Sequence, residues 1–198
     1  MDEAQAIQAA KRGDLAAFNR LVMAYQNTAY NVAYRILGDA DAADDACQEA
    51  FLSAFKGIQN FRGGSFKSWI LRIVTNACYD QLRYKGRRPA NSLEEVAEQP
   101  DYSAKLVNGH ERPEEYALRQ ELSHVIQEAI TNLPPEQRTV VVLSDIQGFA
   151  YQEIAEITGV SLGTVKSRLS RARMKLRDHL LENQELLPTQ YRLLSSTG

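Results

Sequence analysis

Residues 151–181 read YQEIAEITGVSLGTVKSRLSRARMKLRDHLL and decide the fold of the C-terminal part of the chain. A first helix is predicted through Ile154, Ala155 and Ile157, and it ends at Gly159. Ser161 has the side chain and the position to cap a second helix. Two helices joined by such a turn form a helix-turn-helix. The buried stripe of the second helix is predicted to consist of Leu162, Val165, Leu169, Ala172 and Leu176.

The opposite face of the second helix is polar and basic. Residues 161–181 contain six basic residues against one acidic residue, in a chain whose formal net charge is only -2. A helix that enters the major groove needs small polar groups for base edges and cations for phosphates. A solvated amphipathic helix that binds nothing is the alternative interpretation. The candidate DNA contacts are Thr164, Lys166, Ser167, Arg168, Ser170, Arg171 and Arg173.

Length and periodicity predict an all-α protein with two helical domains joined by a flexible linker. A chain of 198 residues suits two compact units. Residues 16–37 and 66–84 show helical spacing of apolar residues, and no window alternates like a set of strands. The predicted parts are a first domain at 1–88, an acidic linker at 89–113, a second domain at 114–182 and a tail at 183–198. The linker could lie against the basic faces of both domains and weaken DNA binding.

Several classes of protein are disfavoured by the composition. The N-terminus mixes charges and no run of about eighteen apolar residues occurs, so we expect a cytoplasmic protein without membrane insertion. Cys47 and Cys78 lack zinc-site spacing and are predicted to be small core residues. No metal site and no cofactor is expected. Because no nucleophile motif or phosphate-binding loop occurs, the chain is predicted not to be an enzyme.

A long helix and an acidic helix are predicted in the first domain. Asp14 can cap the long helix and Gly38 can end it. Residues 39–49 then contain five acidic residues and no basic one. Helix capping and a solvated face could account for these acids, and so could a protein partner.

The segment 57–88 carries a second signature of nucleic-acid binding. Phe61 lies beside Gly63 and Gly64 in a predicted loop, and residues 62–88 contain seven basic residues against Asp80. Exposed aromatic rings stack on unpaired bases while cations bind phosphates, so an exposed Phe61 is expected. Trp69, the only tryptophan, is interpreted as a core residue in preference to a base platform.

Four motifs in this order resemble the extracytoplasmic-function (ECF, group IV) sigma factors of bacterial RNA polymerase, within the sigma-70 superfamily. They are DADAADDACQEAFLSAF at 39–55, FRGGSFKSWILRIVTNACYDQLRYKGRRP at 61–89, LPPEQRTVVVLSDIQGFAYQEIAEITGVS at 133–161 and GTVKSRLSRAR at 163–173. The resemblance implies that the two domains are sigma regions 2 and 4. It also implies initiation at specific promoters, in a stress or envelope response, with nucleotidyl transfer left to the core enzyme.

The resemblance further implies partners and sites. The acidic helix would bind the clamp helices of the largest polymerase subunit, and the segment before the helix-turn-helix would face the polymerase flap. Region 4 would bind the minus-35 element, and an anti-sigma factor is an implied partner. The implied polymerase-binding residues are Asp44, Asp45, Gln48, Glu49, Phe51 and Phe55. The implied contacts with the melted minus-10 strand are Phe61, Arg62, Asn76, Arg83, Lys85, Arg87 and Arg88.

The main alternative is an autonomous helix-turn-helix regulator that binds duplex DNA without replacing a sigma factor. It accounts for residues 151–181 but leaves the basic and aromatic segment at 61–88 without a role. A helical adaptor that binds acidic proteins through both basic faces is a third interpretation. Sequence-selective DNA binding would exclude the adaptor.

Overall fold

The computed structural model describes residues 2–87 and 113–183. Every regular element in these two ranges is helical, which confirms the all-α prediction. Arg88, the predicted acidic linker up to residue 112 and the predicted C-terminal tail after residue 183 lie outside the described residues. The hypothesis that the linker lies against the DNA-binding faces therefore stays a prediction.

Four helices form the N-terminal bundle. They are α1 (Glu3–Lys11), α2 (Leu15–Leu37), α3 (Ala40–Gly57) and α4 (Phe66–Arg87), with a 3-10 turn at Ile58–Asn60 between the last two. The predicted bounds of α2 are confirmed, since the Asp14 side chain accepts a hydrogen bond from the Ala17 amide and Gly38 ends the helix with a φ of 71°. Asp39 caps α3 in the same way through the Ala42 amide.

The core of this bundle is built from aliphatic residues at helical spacing. Ile36 of α2 and Ile70, Leu71 and Val74 of α4 are fully buried, and each such side chain contributes about 1.5–3 kcal/mol through burial. Both cysteines are buried in this bundle, and burial raises the pKa of each thiol to about 12. The prediction that they are core residues is confirmed.

Helix α1 was not anticipated from the sequence. It packs Ile7 and Ala10 against the rest of the bundle, and it contacts α2 and the 3-10 turn. The N-terminal end of α1 is held by a hydrogen bond that the Tyr25 hydroxyl donates to the Glu3 carboxylate. Because most of its buried positions are alanines, its apolar stripe gives a weak periodic signal.

Four further helices form the C-terminal bundle. They are α5 (Pro113–Thr131), α6 (Pro135–Val141), α7 (Tyr151–Thr158) and α8 (Leu162–Glu182), and one π-helical turn, Val142–Ile146, follows α6. The predicted helix-turn-helix is confirmed. Gly159 has a φ of 68°, and the Ser161 side chain accepts a hydrogen bond of 3.1 Å from the Thr164 amide.

The two bundles pack against each other. Helix α2 contacts α5, α6 and the π-helical turn, while α4 contacts α7. Across residues 2–87 and 113–183, no helix combines the length and the apolar character that a membrane span requires. Within the same ranges, no cluster of three or more His, Cys, Asp or Glu residues is arranged to hold a metal ion.

Candidate nucleic-acid and polymerase interfaces

Helix α8 presents the predicted recognition face to solvent. Its inner stripe buries Val165, Leu169 and Ala172. Leu162 is 38% exposed, so the prediction that it belongs to this stripe is wrong. The reason is its place in the first turn beside the capping Ser161, where the helix has not yet reached the core. On the outer face Lys166, Ser167, Ser170, Arg171 and Arg173 are exposed, and Thr164 and Arg168 are half-buried.

Arg173 is engaged within the protein, although the sequence suggested a DNA contact. Its Nε and Nη2 donate to the two carboxylate oxygens of Asp145, at 2.9 Å and 2.6 Å. Further hydrogen bonds reach the Tyr151 hydroxyl at 3.2 Å and the Ser144 hydroxyl at 3.3 Å. This bidentate ion pair lowers the pKa of Asp145 below its usual value. It also raises the pKa of Arg173. Arg173 thus links α8 to the π-helical turn that contains Ser144 and Asp145.

Nothing in the sequence signalled this ion pair, because Asp145 and Arg173 lie far apart in the chain. A DNA contact by Arg173 stays a prediction, and a phosphate would have to share a guanidinium that already makes four hydrogen bonds inside the protein.

Phe61 is buried, so the expectation of an exposed ring in the loop is wrong. Its side chain is 5% exposed and packs edge-on against Phe66, with ring centroids 5.6 Å apart, and against Trp69 at 5.4 Å. Lys11 of α1 covers it from outside and donates a hydrogen bond to the Phe61 carbonyl. The ring is buried because the 3-10 turn directs the loop back over the start of α4. A base-binding role for Phe61 remains a prediction.

The outer face of α4 carries the other predicted minus-10 residues. Arg72, Asn76, Asp80 and Arg83 are exposed at spacings of three and four residues, so they form one stripe along the helix. Arg83 pairs with Asp80 at 3.3 Å. Arg62 is exposed in the loop at one end, and Lys85 and Arg87 lie in the last turn of α4 at the other. Trp69 is half-buried against Phe61 and Phe66, as its interpretation as a core residue predicts.

A groove between α2 and α3 collects most of the predicted polymerase-binding residues. Its volume is about 800 Å³, and Phe55 packs edge-on against Phe18 in its wall, with ring centroids 5.0 Å apart. Asp45 and Glu49 do not line the groove but are exposed on the same helix. The predicted residues that line it are Asp44, Gln48, Phe51 and Phe55.

Sequence reasoning did not assign the two exposed leucines of the groove to the site. Leu15 and Leu52 line the groove and are 57% and 62% exposed. Leu52 lies midway between the buried Ala50 and Ala54 and is therefore out of phase with the buried stripe of α3, which is the signal that could have marked it as a surface residue. The result is an apolar groove with a carboxylate at its edge, here called the α2–α3 groove.

The fold and these surfaces define a two-part helical protein with a helix-turn-helix. The family model for sigma-70 region 2 matches residues 21–88, and the model for sigma-70 region 4 matches residues 123–176. Together the two models cover more than half of the chain.

Curated relatives agree with these matches. The chain is 38% identical to the ECF RNA polymerase sigma-E factor of Haemophilus influenzae, over 84% of this chain and 89% of the relative. It is also 38% identical to the ECF RNA polymerase sigma factor SigW of Bacillus subtilis, over 88% of this chain and 94% of the relative. The identity is again 38% with the ECF sigma factor SigE of Mycolicibacterium smegmatis, where the match spans 86% of this chain but 65% of that longer relative.

Solved structures give the same result. CnrH in complex with the cytosolic domain of CnrY superposes with a TM-score of 0.63 at 27% identity, over 88% of this chain and 94% of that chain. The sigma factor RpoE of Bartonella quintana, in complex with the anti-sigma factor NepR, superposes with a TM-score of 0.64 at 26% identity, over 82% and 96%. The chain belongs to the ECF sigma factors of the sigma-70 family.

Proposed function

We propose that this chain directs core RNA polymerase to specific promoters in a stress or envelope response, through three surfaces on the two bundles. One observation carries the proposal. The α2–α3 groove, with exposed acidic residues on α3, occurs in the same chain as a helix-turn-helix whose basic face is exposed. An autonomous regulator would use the second surface but has no need of the first. Nucleotidyl transfer is assigned to the core enzyme.

The groove is proposed to bind the clamp helices of the largest polymerase subunit. A groove with apolar walls accepts the apolar side of an amphipathic helix. Asp44, Asp45 and Glu49 then meet basic residues that flank this side, which steers the encounter. Contact with the polymerase flap is proposed for the start of α6, because residues 140–143 are buried beneath α8 and cannot reach a partner.

The two DNA surfaces are proposed to divide the promoter between them. The stripe on α4, which includes Asn76 and Arg83, binds the melted minus-10 strand together with Arg62 of the preceding loop, and Asn76 can hydrogen-bond a base edge. Unpairing a base costs a few kcal/mol, which edge hydrogen bonds and phosphate contacts offset. The outer face of α8 enters the major groove of the minus-35 element, where Lys166, Ser170 and Arg171 are the proposed central contacts.

An anti-sigma factor is proposed as a second protein partner. Support comes from the Bartonella quintana neighbour, which was solved with an anti-sigma factor bound. Such a partner would compete with polymerase if it covered the α2–α3 groove.

The test is promoter-dependent transcription in vitro. The chain is mixed with bacterial core RNA polymerase and a library of random upstream DNA, and the transcribed templates are sequenced. We expect transcripts that require the chain and that share two spaced elements. If core polymerase is neither bound nor redirected while the chain alone retains duplex DNA, the autonomous regulator becomes the correct interpretation.

A further inference from the structure

The outer face of α8 contains a row of side chains that ends in Arg173. Lys166, Ser170 and Arg173 follow one another at spacings of four and three residues, so they project from the same side of the helix. Lys166 and Ser170 are two of the proposed central contacts with the minus-35 element. Arg173 is held by its bidentate pair with Asp145. Because α8 is one continuous helix, the direction of the first two side chains is tied to the position of the third.

The groups that bind the Arg173 side chain are themselves held in place. Ser144 and Asp145 belong to the π-helical turn, and the Gly148 amide donates a hydrogen bond of 3.1 Å to the Ser144 carbonyl. Tyr151 begins α7, and its ring packs against the core while its hydroxyl accepts the hydrogen bond from Arg173. Single π-helical turns occur frequently at functional sites. The guanidinium is thus bound by two elements that are anchored independently of α8.

The inner face of α8 becomes smaller toward Arg173. Val165 and Leu169 are buried in the first and second turns, but Ala172, the buried residue beside Arg173, has only a methyl group. Aliphatic burial is non-directional, and an alanine makes few contacts that would resist a rotation of the helix. A bidentate pair between a guanidinium and a carboxylate fixes orientation as well as distance. The ion pair therefore supplies a directional restraint in the third turn of α8.

The same geometry leaves Arg173 little capacity for DNA. A guanidinium has five N–H groups, and Arg173 already makes four hydrogen bonds with the protein. A phosphate would have to displace the Asp145 carboxylate, which lies 2.6 Å from Nη2 and repels an approaching anion. This arrangement is suited to holding a helix and poorly suited to binding a phosphate.

We infer that Asp145 and Arg173 are positioning residues for minus-35 recognition. Their ion pair sets the rotation of α8 about its own axis, and so the direction in which Lys166 and Ser170 enter the major groove. Neither paired residue contacts the DNA. This inference rests on the proposed function, since only a helix that reads base edges needs a fixed rotation. It moves Arg173 from the DNA contacts, where the sequence placed it, to the residues that hold the helix.

Promoter binding by the polymerase-bound chain tests the inference on two templates. One template carries both selected promoter elements, and in the other the minus-35 element is replaced by unrelated sequence. Asp145→Asn removes the charge but keeps the shape of the side chain, and Arg173→Lys keeps the charge but removes the bidentate fork. We expect each variant to lower the affinity for the first template by about tenfold, as loss of one base contact does. The affinity for the second template should be unchanged.

Further variants distinguish positioning from a direct contact or a general structural role. Asp145→Glu keeps the carboxylate and should lose less affinity than Asp145→Asn. The double variant Asp145→Asn with Arg173→Lys should bind no more weakly than the weaker single variant, because both changes remove the same pair. Asp178→Asn breaks an exposed pair on the same helix and should leave the affinity unchanged. The slope of log affinity against log salt should stay constant throughout, because no phosphate contact is lost.

Opposite signs would overturn the inference. If Arg173 binds a phosphate in competition with Asp145, Asp145→Asn frees the guanidinium and raises the affinity, whereas Arg173→Lys keeps its charge and has little effect. Equal losses on the two templates would show a general loss of stability, with no role in minus-35 recognition. A wild-type chain that gives no polymerase-dependent transcription overturns the proposed function, and this inference with it. An active wild-type chain whose Asp145→Asn variant binds the first template equally well overturns the inference alone.

Discussion

At the scale of single residues, two arginines of this protein have different structural roles. Arg138 and Arg173 both use the planar guanidinium fork, but Arg138 is buried against helix-end carbonyls while Arg173 pairs with Asp145 at the surface. The sequence marks both as basic residues near a helix-turn-helix. Only their surroundings decide that Arg138 joins two bundles and Arg173 fastens one helix to the preceding turn.

The Asp145–Arg173 pair predicts a pH-dependent stability. Asp145→Asn should lower the free energy of unfolding at pH 7 by about 0.5–1 kcal/mol, because the pair is partly exposed and solvent screens it. The pKa of Asp145 is lowered in the fold, so the stabilisation is present above its ordinary pKa of 3.8 and is lost as pH falls through the lower folded value. Urea unfolding of wild type and variant at pH 7 and near pH 3 measures the difference.

Asp178→Asn is the matched control for this prediction. Asp178 lies on the same helix and pairs with its exposed neighbour Arg177. Its replacement should change stability less than Asp145→Asn at pH 7. If the difference between Asp145→Asn and wild type were equally large near pH 3, the assignment of the stabilisation to the charged pair would be wrong.

Phe61 offers a second prediction at this scale. Phe61→Ala should cost about 3 kcal/mol or more of unfolding free energy, since it removes a buried ring from a cluster with Phe66 and Trp69. Phe55→Ala is the control, because Phe55 is exposed at the groove and should cost less. Chemical denaturation compares them. If Phe61→Ala had the same free energy of unfolding as wild type, the Phe61 ring would not be packed in this cluster.

At the scale of elements, the amphipathic helices α3 and α8 bury one face in the core and expose the residues that are proposed to bind partners on the other face. Helix α3 buries alanines and exposes carboxylates, and α8 buries Val165, Leu169 and Ala172 and exposes cations. A helix that uses small residues on its inner face packs closely on its neighbour. Its larger residues are then available at the surface, as Phe55 and Leu52 are at the groove.

The acidic face of α3 predicts a loss of polymerase binding on charge reversal. Asp45→Lys with Glu49→Lys should weaken the complex with core polymerase by about tenfold, mainly by slowing association, because both residues are exposed and steer the encounter. Glu121→Lys, an exposed acid on α5, is the control. Surface plasmon resonance at two salt concentrations measures the rates. Equal loss in the control would mean that net charge, and not this face, determines binding.

The recognition face of α8 predicts a change in salt dependence. Arg171→Ala, in the polymerase-bound chain, should weaken binding to a two-element promoter and reduce the slope of log affinity against log salt by about one, as loss of one phosphate contact requires. If Arg171 reads a base edge instead, specificity at one position relaxes. Arg177→Ala is the control, since Arg177 lies six residues further along α8 and pairs with Asp178. An unchanged slope and specificity for Arg171→Ala would exclude this residue from the interface.

At the scale of the whole molecule, the two bundles pack against each other through α2 and α4. Each bundle presents its own surface, but their packing places Arg83 and Arg168 around one cavity.

Removing contacts between the bundles should loosen their packing. Arg35→Ala with Lys67→Ala removes a hydrogen bond and a cation–ring contact between the bundles, without touching the proposed DNA residues. The radius of gyration from small-angle scattering should rise relative to wild type. Arg12→Ala with Lys56→Ala, two exposed cations, is the control and should leave the radius unchanged. A rise in the control alone would contradict the role of the contacts.

The sequence alone determined the all-α class, the caps of α2 and α8 and the helix-turn-helix, because these depend on local spacing and on side chains that hydrogen-bond within one turn. Tertiary structure alone decided that Phe61 is buried, that Arg173 pairs with Asp145, that α1 completes the first bundle and that Arg138 joins the bundles. Each of these depends on residues distant in the chain coming together. Their energies come from desolvation and packing, which no local pattern in a sequence contains.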